Sequence, residues 1–196
     1  MLYRFLLIFI LSFCWLAMPA SVDAKRVKLQ IGEAAPTWTK IKGTDDKLHD
    51  LSDLEKAELV VVVFMGTECP VAQHYEPVLT SMAKKLKSSG VEFVAVYSNK
   101  DESLAALKEH VREKEIGLVC LHDESQKLAK SYGALRTPEV FVLNADRKIE
   151  YMGAIDGAFI GRPKNDYLRA AITQIMEKEK VTKPTTRATG CAIRWK

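Results

Sequence analysis

The feature that most constrains this chain is a short apolar run at residues 59–64, followed by a turn that carries a cysteine and a proline. The run is rich in valine and short, which favours a strand covered on both faces of a sheet. Gly66 then breaks the strand. Cys69 stands where the N-cap of a helix belongs, and Pro70 takes the first helical position, where its missing N–H costs nothing. The sequence therefore predicts a buried strand, a tight turn and a helix that begins at the cysteine.

The predicted position of Cys69 has a chemical consequence. The free amides of a first helical turn carry partial positive charge, and this charge stabilises a thiolate over a thiol. Thiols in such positions have pKa values between about 3.5 and 7.5, against about 8.5 for an ordinary cysteine. The carboxylate of Glu68 opposes the effect, so we expect a lowered but not an extreme pKa for Cys69. Pro77 is expected to kink the helix.

Apolar periodicity and turn residues predict an alternation of strands and helices along the rest of the chain. Two short strands are expected on either side of the turn at 43–46. Longer strands are expected at 91–97, 118–121, 139–143 and 148–152, and helices at 70–88, 101–115, 124–132 and 165–180. This order predicts a single α/β domain in which helices pack against a sheet.

The two ends of the chain differ from the predicted domain. Residues 1–24 have the pattern of a secretory signal peptide, with Arg4, an apolar stretch and a small-residue cleavage site. The alternative is an uncleaved anchor, although the apolar stretch is shorter than the roughly twenty residues of a membrane span. Residues 25–180 form the expected domain, and 181–196 an irregular tail that packs on it. The expected location is the periplasm or the outside of the cell, with membrane contact only if the signal is retained.

Charge and cysteine content narrow the function classes. The net charge of +4 is small, and no stripe of interleaved basic and aromatic residues indicates a nucleic-acid partner. Removal of residues 1–24 leaves Cys69, Cys120 and Cys191, and export permits disulfides. An odd number leaves at least one thiol without a partner in the chain, and three are too few for a stapled scaffold. We therefore expect a core held by burial, with cysteines available for chemistry.

The strand, the Cys69–Pro70 turn and Pro77 resemble the active-site segment of the thioredoxin superfamily, most closely the redoxin branch of peroxiredoxin-like (alkyl hydroperoxide reductase / thiol-specific antioxidant) proteins. Residues 31–38 resemble the entrance of redoxin domains. There are two departures. Ala72 stands where thioredoxins have the second cysteine of Cys-x-x-Cys, and the peroxiredoxin motif Pro-x-x-x-Thr-x-x-Cys is not intact before Cys69. The resemblance implies a thioredoxin-like fold, a central mixed β-sheet flanked by α-helices.

A second constellation precedes the strand at 139–143. A proline in this position is a candidate for a cis peptide bond, and the resemblance implies that Thr137 and Pro138 face Cys69 and shape the site. The alternative is an ordinary trans proline that opens an edge strand. Arg136 is a candidate to stabilise a thiolate or to polarise a peroxide, as an arginine does in peroxiredoxins; the alternative is a solvated surface arginine.

The third candidate is the cysteine of the tail. Residues 190–195, Gly-Cys-Ala-Ile-Arg-Trp, resemble the C-terminus of a subset of secreted peroxiredoxin-like proteins. A cysteine on a mobile tail is able to resolve an oxidised Cys69 by forming a disulfide. The alternatives are a static Cys120–Cys191 pair or a free thiol, and Cys120 itself is expected to fill space. His74 and His122 invite a metal interpretation, but copper-delivery relatives use a second close cysteine that is absent from this motif, so we expect neither metal nor cofactor.

These observations lead to one hypothesis and two rivals. The hypothesis is an exported, peroxiredoxin-like, thiol-based oxidoreductase in which Cys69 reduces a peroxide or exchanges a disulfide, with an external thiol as reductant. One rival is a thiol–disulfide oxidoreductase that acts on exported proteins. The other is a non-catalytic binding module that kept the fold, since fold alone does not determine function.

Overall fold

The structure, a computed structural model, describes residues 29–158 and 165–196. The predicted signal peptide at 1–24 lies outside these residues. Within the described ranges, no helix has the length and apolar character needed to cross a membrane.

Strands and helices alternate through the middle of the chain, as the periodicity predicts. The strands are β1 (Ile41–Lys42), β2 (Leu48–His49), β3 (Leu59–Met65), β4 (Val91–Tyr97), β5 (Val119–His122), β6 (Arg136–Thr137), β7 (Glu139–Leu143), β8 (Ile149–Gly153) and β9 (Cys191–Ala192). The helices are α1 (Pro70–Leu86), α2 (Leu104–Glu113), α3 (Lys127–Tyr132) and α4 (Tyr167–Met176), with short 3-10 turns at Leu51–Leu54 and Lys87–Ser89.

Five strands form the central sheet, in the order β5-β4-β3-β7-β8. Strands β5, β4 and β3 are parallel, whereas β7 runs antiparallel to β3 and β8 antiparallel to β7. The sheet is therefore mixed, as expected. Strand β3 lies at its centre, which places the turn at residues 66–69 at the carboxyl end of the parallel strands.

The sheet divides the core in two. Along β3, Val61 and Val63 face one apolar cluster, which includes Leu79 of α1. Val60 and Val62 face the other, which includes Tyr132 of α3. All four valines are fully buried, which explains why the strand reads as a continuous apolar run and not as an alternating one.

The largest differences from the predicted elements are at helix ends and in the tail. Helix α2 begins three residues later than predicted, because Ser103 caps it and accepts a hydrogen bond from the amide of Ala106. Helix α1 runs through Pro77. The tail at 181–196, expected to be irregular, contains β9. It packs on the body: the Thr186 amide donates a hydrogen bond to the Met152 carbonyl, the Met152 amide donates one to the Pro184 carbonyl, and Val181 is buried.

Candidate active site

Cys69 occupies the N-cap of α1, as the sequence predicts. Its backbone is extended, Pro70 takes the first helical position, and the Ala72 amide donates a hydrogen bond to Sγ over 3.4 Å. The turn before it is tight. A side-chain carbon at Gly66 would lie 2.8 Å from Asn99 Nδ2 and 3.2 Å from Thr137 Oγ1, so a larger residue where the strand ends would displace these side chains. Cys69 itself is only 3 % exposed.

The loop before β7 meets Cys69, and the predicted cis bond is confirmed: the Thr137–Pro138 peptide is cis. Thr137 is almost completely buried, and its carbonyl oxygen accepts a hydrogen bond from Cys69 Sγ at 3.0 Å. The Cys69–Pro70 turn and the Thr137–Pro138 loop therefore lie together, and Thr137 is in direct contact with the Cys69 sulfur.

The C-terminal tail brings a second cysteine to this point. Strand β9 pairs antiparallel with β6, so that Cys191 lies opposite Thr137. Gly190 makes this approach possible: its φ is +146°, and a Cβ there would lie 2.1 Å from the Thr137 carbonyl oxygen. The side chain of Cys191 packs against the apolar cluster that contains Cys69. The second close cysteine that α1 lacks at Ala72 is thus supplied from the end of the chain.

The two thiols have unlike acidities. Burial raises the pKa of Cys69, but hydrogen bonds from the side chains of Cys191 and Thr137 and from the Ala72 amide bring that pKa below its usual value. Burial, together with the neighbouring Cys69 sulfur, raises the pKa of Cys191 to about 11. The first proton therefore leaves Cys69, and Cys191 remains a thiol that donates to the thiolate.

The guanidinium of Arg136 is engaged with the backbone of the tail. It donates a hydrogen bond to the Gly190 carbonyl oxygen over 2.9 Å, and so holds the tail. The hydrogen bonds to Cys69 come from other groups. The expectation that Arg136 stabilises the thiolate directly has no support in this geometry, because the guanidinium is directed at the tail backbone.

Arg194, two residues beyond β9, was not among the predicted site residues. Its guanidinium pairs with Glu68 Oε2 at 2.9 Å and with Asp101 Oδ2 at 2.7 Å. Its backbone is held as well: the amide donates to Asn99 Oδ1 at 2.9 Å, and the carbonyl accepts from Gln126 Nε2 at 2.8 Å. The carboxylate of Glu68, expected to oppose the thiolate, is therefore paired with a cation.

Glu102 is a second residue that sequence reasoning missed. Its carboxylate is buried, and it accepts hydrogen bonds from the Thr67 amide at 2.6 Å, the Thr67 hydroxyl at 3.0 Å and the Asn99 amide at 3.2 Å. It therefore fixes the turn before Cys69 to the loop that follows β4. Because the buried Glu102 carboxylate accepts all three hydrogen bonds, it holds the backbone around the site in place.

Cys120 lies apart from this chemistry. It is 2 % exposed within β5, and burial, with the charge of Glu76, raises the pKa of its thiol to about 12. All three described cysteines are free thiols. The contact of Cys191 is with Cys69, which disfavours the static Cys120–Cys191 pair, and the position of Cys120 agrees with its expected role of filling space.

The histidines considered for a metal site have other neighbours. The ring of His74 packs edge-on against Tyr75, with centroids 5.2 Å apart, and His122 Nε2 lies 2.8 Å from the Glu102 carbonyl oxygen. In the part of the chain that the structure describes, no group of three or more His, Cys, Asp or Glu side chains is arranged to hold a metal ion.

Comparison with known proteins decides the family. The model of the Redoxin family matches residues 30–158. The chain belongs to the Redoxin family. The thiol-disulfide oxidoreductase ResA of Bacillus cereus is 28 % identical over 128 residues, which cover 64 % of this chain and 70 % of that protein. With such relatives, this Redoxin protein is a thiol-dependent oxidoreductase, and the expectation of an enzyme is confirmed.

Solved structures confirm the fold. An uncharacterized conserved protein from Geobacillus kaustophilus has a TM-score of 0.79 and 28 % identity, over 85 % of this chain and 93 % of that one. A putative thiol:disulfide interchange protein DsbE from Chlorobium tepidum has a TM-score of 0.59 and 20 % identity, over 64 % of this chain and 85 % of that one. At that identity the second likeness shows the fold alone, and that fold is the predicted thioredoxin-like one.

Proposed function

We propose that this Redoxin protein is a dithiol–disulfide oxidoreductase in which Cys69 is the nucleophile and Cys191 is its partner thiol. The observation that carries the proposal is the placement of Cys191 beside Cys69: β9 pairs Cys191 with Thr137, whose carbonyl oxygen contacts the Cys69 sulfur. The thiolate is the form that attacks a disulfide, and the lowered pKa of Cys69 supplies it at a lower pH than an ordinary cysteine would. The activity named for the ResA relative supports the same reaction class.

Each cycle transfers two electrons to the substrate. The Cys69 thiolate attacks one sulfur of a substrate disulfide, and the other sulfur leaves as a thiolate with the electrons of the broken bond. Cys191 then loses its proton to that leaving thiolate or to water and attacks the Cys69 sulfur. This forms a Cys69–Cys191 disulfide and releases the second substrate thiolate. An external thiol reductant, the proposed partner, restores both thiols.

The remaining predicted site residues have positioning roles in this proposal. The carbonyl of Thr137 orients the Cys69 sulfur, and Pro138 fixes the loop that presents this carbonyl. Arg136 acts through Gly190 and holds the tail where Cys191 reaches the nucleophile. None of the three exchanges electrons, so their substitution should slow the reaction without changing which sulfurs pair.

The proposed setting is outside the cytoplasm. The signal-like pattern of residues 1–24 supports export to the periplasm or beyond. Disulfides form and persist in such compartments, so the proposed substrates are the disulfides of exported proteins.

A peroxide is the second candidate substrate. Cys69 is only 3 % exposed, an arrangement that admits a small oxidant more readily than a folded protein. In that reaction the thiolate takes an oxygen from the peroxide and becomes a sulfenic acid, while water or an alcohol leaves. Cys191 would then displace water and form the same disulfide.

The test follows one turnover of the reduced protein with oxidised glutathione, and separately with hydrogen peroxide, in wild type and in Cys69→Ser, Cys191→Ser and Cys120→Ser. Wild type and Cys120→Ser should release two glutathione thiols and end as an internal disulfide. Cys191→Ser should stop with one glutathione on Cys69, and Cys69→Ser should not react.

The same experiment separates the rivals. Faster consumption of peroxide than of disulfide at equal concentration would select the peroxidase. Full reactivity of Cys69→Ser, or no reaction of wild type with either oxidant, would contradict the proposal and leave the non-catalytic binding module.

A further inference from the structure

The tail occupies a backbone edge beside the nucleophile. Strand β9 pairs with β6 in antiparallel register, and the Ile193 amide adds a hydrogen bond to the Leu135 carbonyl at 3.0 Å. Addition of an extended segment to a free strand edge is a general mode of peptide recognition. One edge holds one strand at a time, so a substrate segment that pairs with β6 must take the place of the tail.

The tail shows what this edge selects. The position before the cysteine must be glycine, because a Cβ at Gly190 would lie 2.1 Å from the Thr137 carbonyl oxygen. The position after the cysteine is unrestricted, since Ala192 is exposed. The next position requires an apolar side chain. Ile193 is 3 % exposed there, and it packs into the apolar cluster that includes Tyr132 of α3.

Beyond Ile193, the edge offers polar partners. The carbonyl and amide of Arg194 are bound by the side chains of Gln126 and Asn99, contacts that any residue makes through its backbone. Its guanidinium meets the carboxylates of Glu68 and Asp101. Both acids are largely exposed, and such pairs contribute little individually. Glycine and the aliphatic side chain therefore dominate the selection, and a basic residue adds to it.

We infer that the β6 edge is a docking site for an extended cysteine-containing segment of a disulfide-bonded protein, of the pattern Gly-Cys-x-aliphatic-basic, and that the C-terminal tail is its built-in competitor. The inference rests on the proposed function. The substrate segment displaces the tail, places its sulfur where the Cys191 sulfur lies, and is captured by Cys69. The tail then returns, and Cys191 resolves the mixed disulfide.

The sulfur chemistry balances in two displacements. In the first, a Cys69–substrate bond replaces the substrate's own disulfide bond, and one substrate thiolate leaves. In the second, a Cys69–Cys191 bond replaces the Cys69–substrate bond, and the second thiolate leaves. Docking and resolution use the same edge in turn, so a weaker tail should speed the first displacement and slow the second.

The test uses the Cys191→Ser protein, which stops after the first displacement. It is mixed with the peptide Thr-Gly-Cys-Ala-Ile-Arg-Trp-Lys carried as a mixed disulfide with glutathione, and mass spectrometry follows the peptide adduct on Cys69. Two altered peptides carry Val for the Gly, or Asp for the Ile. The matching peptide should react at least about tenfold faster than either, which corresponds to about 1.4 kcal/mol of docking.

A second variant tests the competition. Arg194→Ala loosens the tail, and Arg169→Ala, which removes an equivalent exposed ion pair with Asp166 on α4, is the matched control. With Cys191 present, Arg194→Ala should accelerate adduct formation and delay the appearance of the internal disulfide, whereas Arg169→Ala should change neither.

Equal rates for the three peptides, or an Arg194→Ala variant that slows both displacements, would overturn the docking site while oxidised glutathione still reacted at Cys69. Loss of the glutathione reaction as well would instead overturn the proposed function.

Discussion

Cys191 packs against the apolar cluster that contains Cys69, although 122 positions of the sequence separate the two residues. The contact exists because β9 pairs with β6 and because Gly190 has no side chain to collide with Thr137. Thioredoxins carry both cysteines in one helical turn, and here Ala72 takes the second place. The tail therefore brings to the nucleophile a thiol that the helix does not provide.

Removal of the Cys191 hydrogen bond should raise the pKa of Cys69. The sign follows from the contact, since a donor to the thiolate lowers the pKa, and its loss raises it. In Cys191→Ala the midpoint of the pH profile for alkylation by iodoacetamide should move to higher pH. Cys191→Ser keeps a hydroxyl donor and should stay closer to wild type. An unchanged midpoint in Cys191→Ala would contradict the role of this donor.

Cys120 should resist alkylation in the native protein. Its thiol is buried and has a pKa of about 12, so at pH 8 almost none of it is thiolate. Labelling at pH 8 followed by peptide mapping should find Cys69 modified first and Cys120 only after denaturation. Cys120→Ala should destabilise the fold by about 1 kcal/mol, typical of a core substitution, and leave the labelling rate of Cys69 unchanged. Prompt labelling of native Cys120 would contradict its assignment to the core.

The local parts of this structure could be predicted from the sequence. Strand β3, the turn and the start of α1 follow from the apolar run, Gly66, Cys69 and Pro70, because these signals act within a few residues of one another. The cis bond at Thr137–Pro138 could be predicted because a proline directly before a strand is a local signal, and the resemblance to thioredoxin-like proteins places this loop beside Cys69. Helix ends were predicted less well, since a cap such as Ser103 competes with nearby polar residues.

The parts that depend on distant segments could not be predicted in the same way. A two-residue strand such as β9 has no periodicity to reveal it. Arg194, Asn99 and Glu102 are ordinary polar residues in sequence, and only the folded chain brings them around Cys69. Arg136 was assigned to the thiolate by its nearness to Pro138 in sequence, but its side chain points to Gly190.

Oxidation should stabilise the fold. A Cys69–Cys191 bond closes most of the domain into one loop, which on the chain-entropy model contributes up to about 4.7 kcal/mol. Chemical denaturation of oxidised and reduced wild type should therefore give a higher midpoint for the oxidised form. Cys120→Ser should show the same difference and Cys191→Ser none. A reduced form as stable as the oxidised one would indicate that the bond distorts the fold or does not form.

Loss of the Glu102 carboxylate should disturb the turn before Cys69. Glu102→Ala leaves the half-buried amide of Thr67 and the buried amide of Asn99 without their acceptor, and an unsatisfied buried group costs about 1 to 3 kcal/mol. We expect lower stability and slower reaction of Cys69 with oxidised glutathione, with both partly restored in Glu102→Gln, which keeps one acceptor oxygen. A variant with wild-type stability would show that water replaces the carboxylate.

The most direct test of the account is the mapping of disulfides after reduced protein is treated with one equivalent of hydrogen peroxide. The sample is digested without reduction, and the linked peptides are identified by mass spectrometry. The account predicts one internal bond, Cys69–Cys191, with Cys120 still a thiol, and a sulfenic acid trapped on Cys69 in Cys191→Ser. A Cys120–Cys191 bond, or a Cys69 that stays reduced while Cys191 is oxidised, would contradict it.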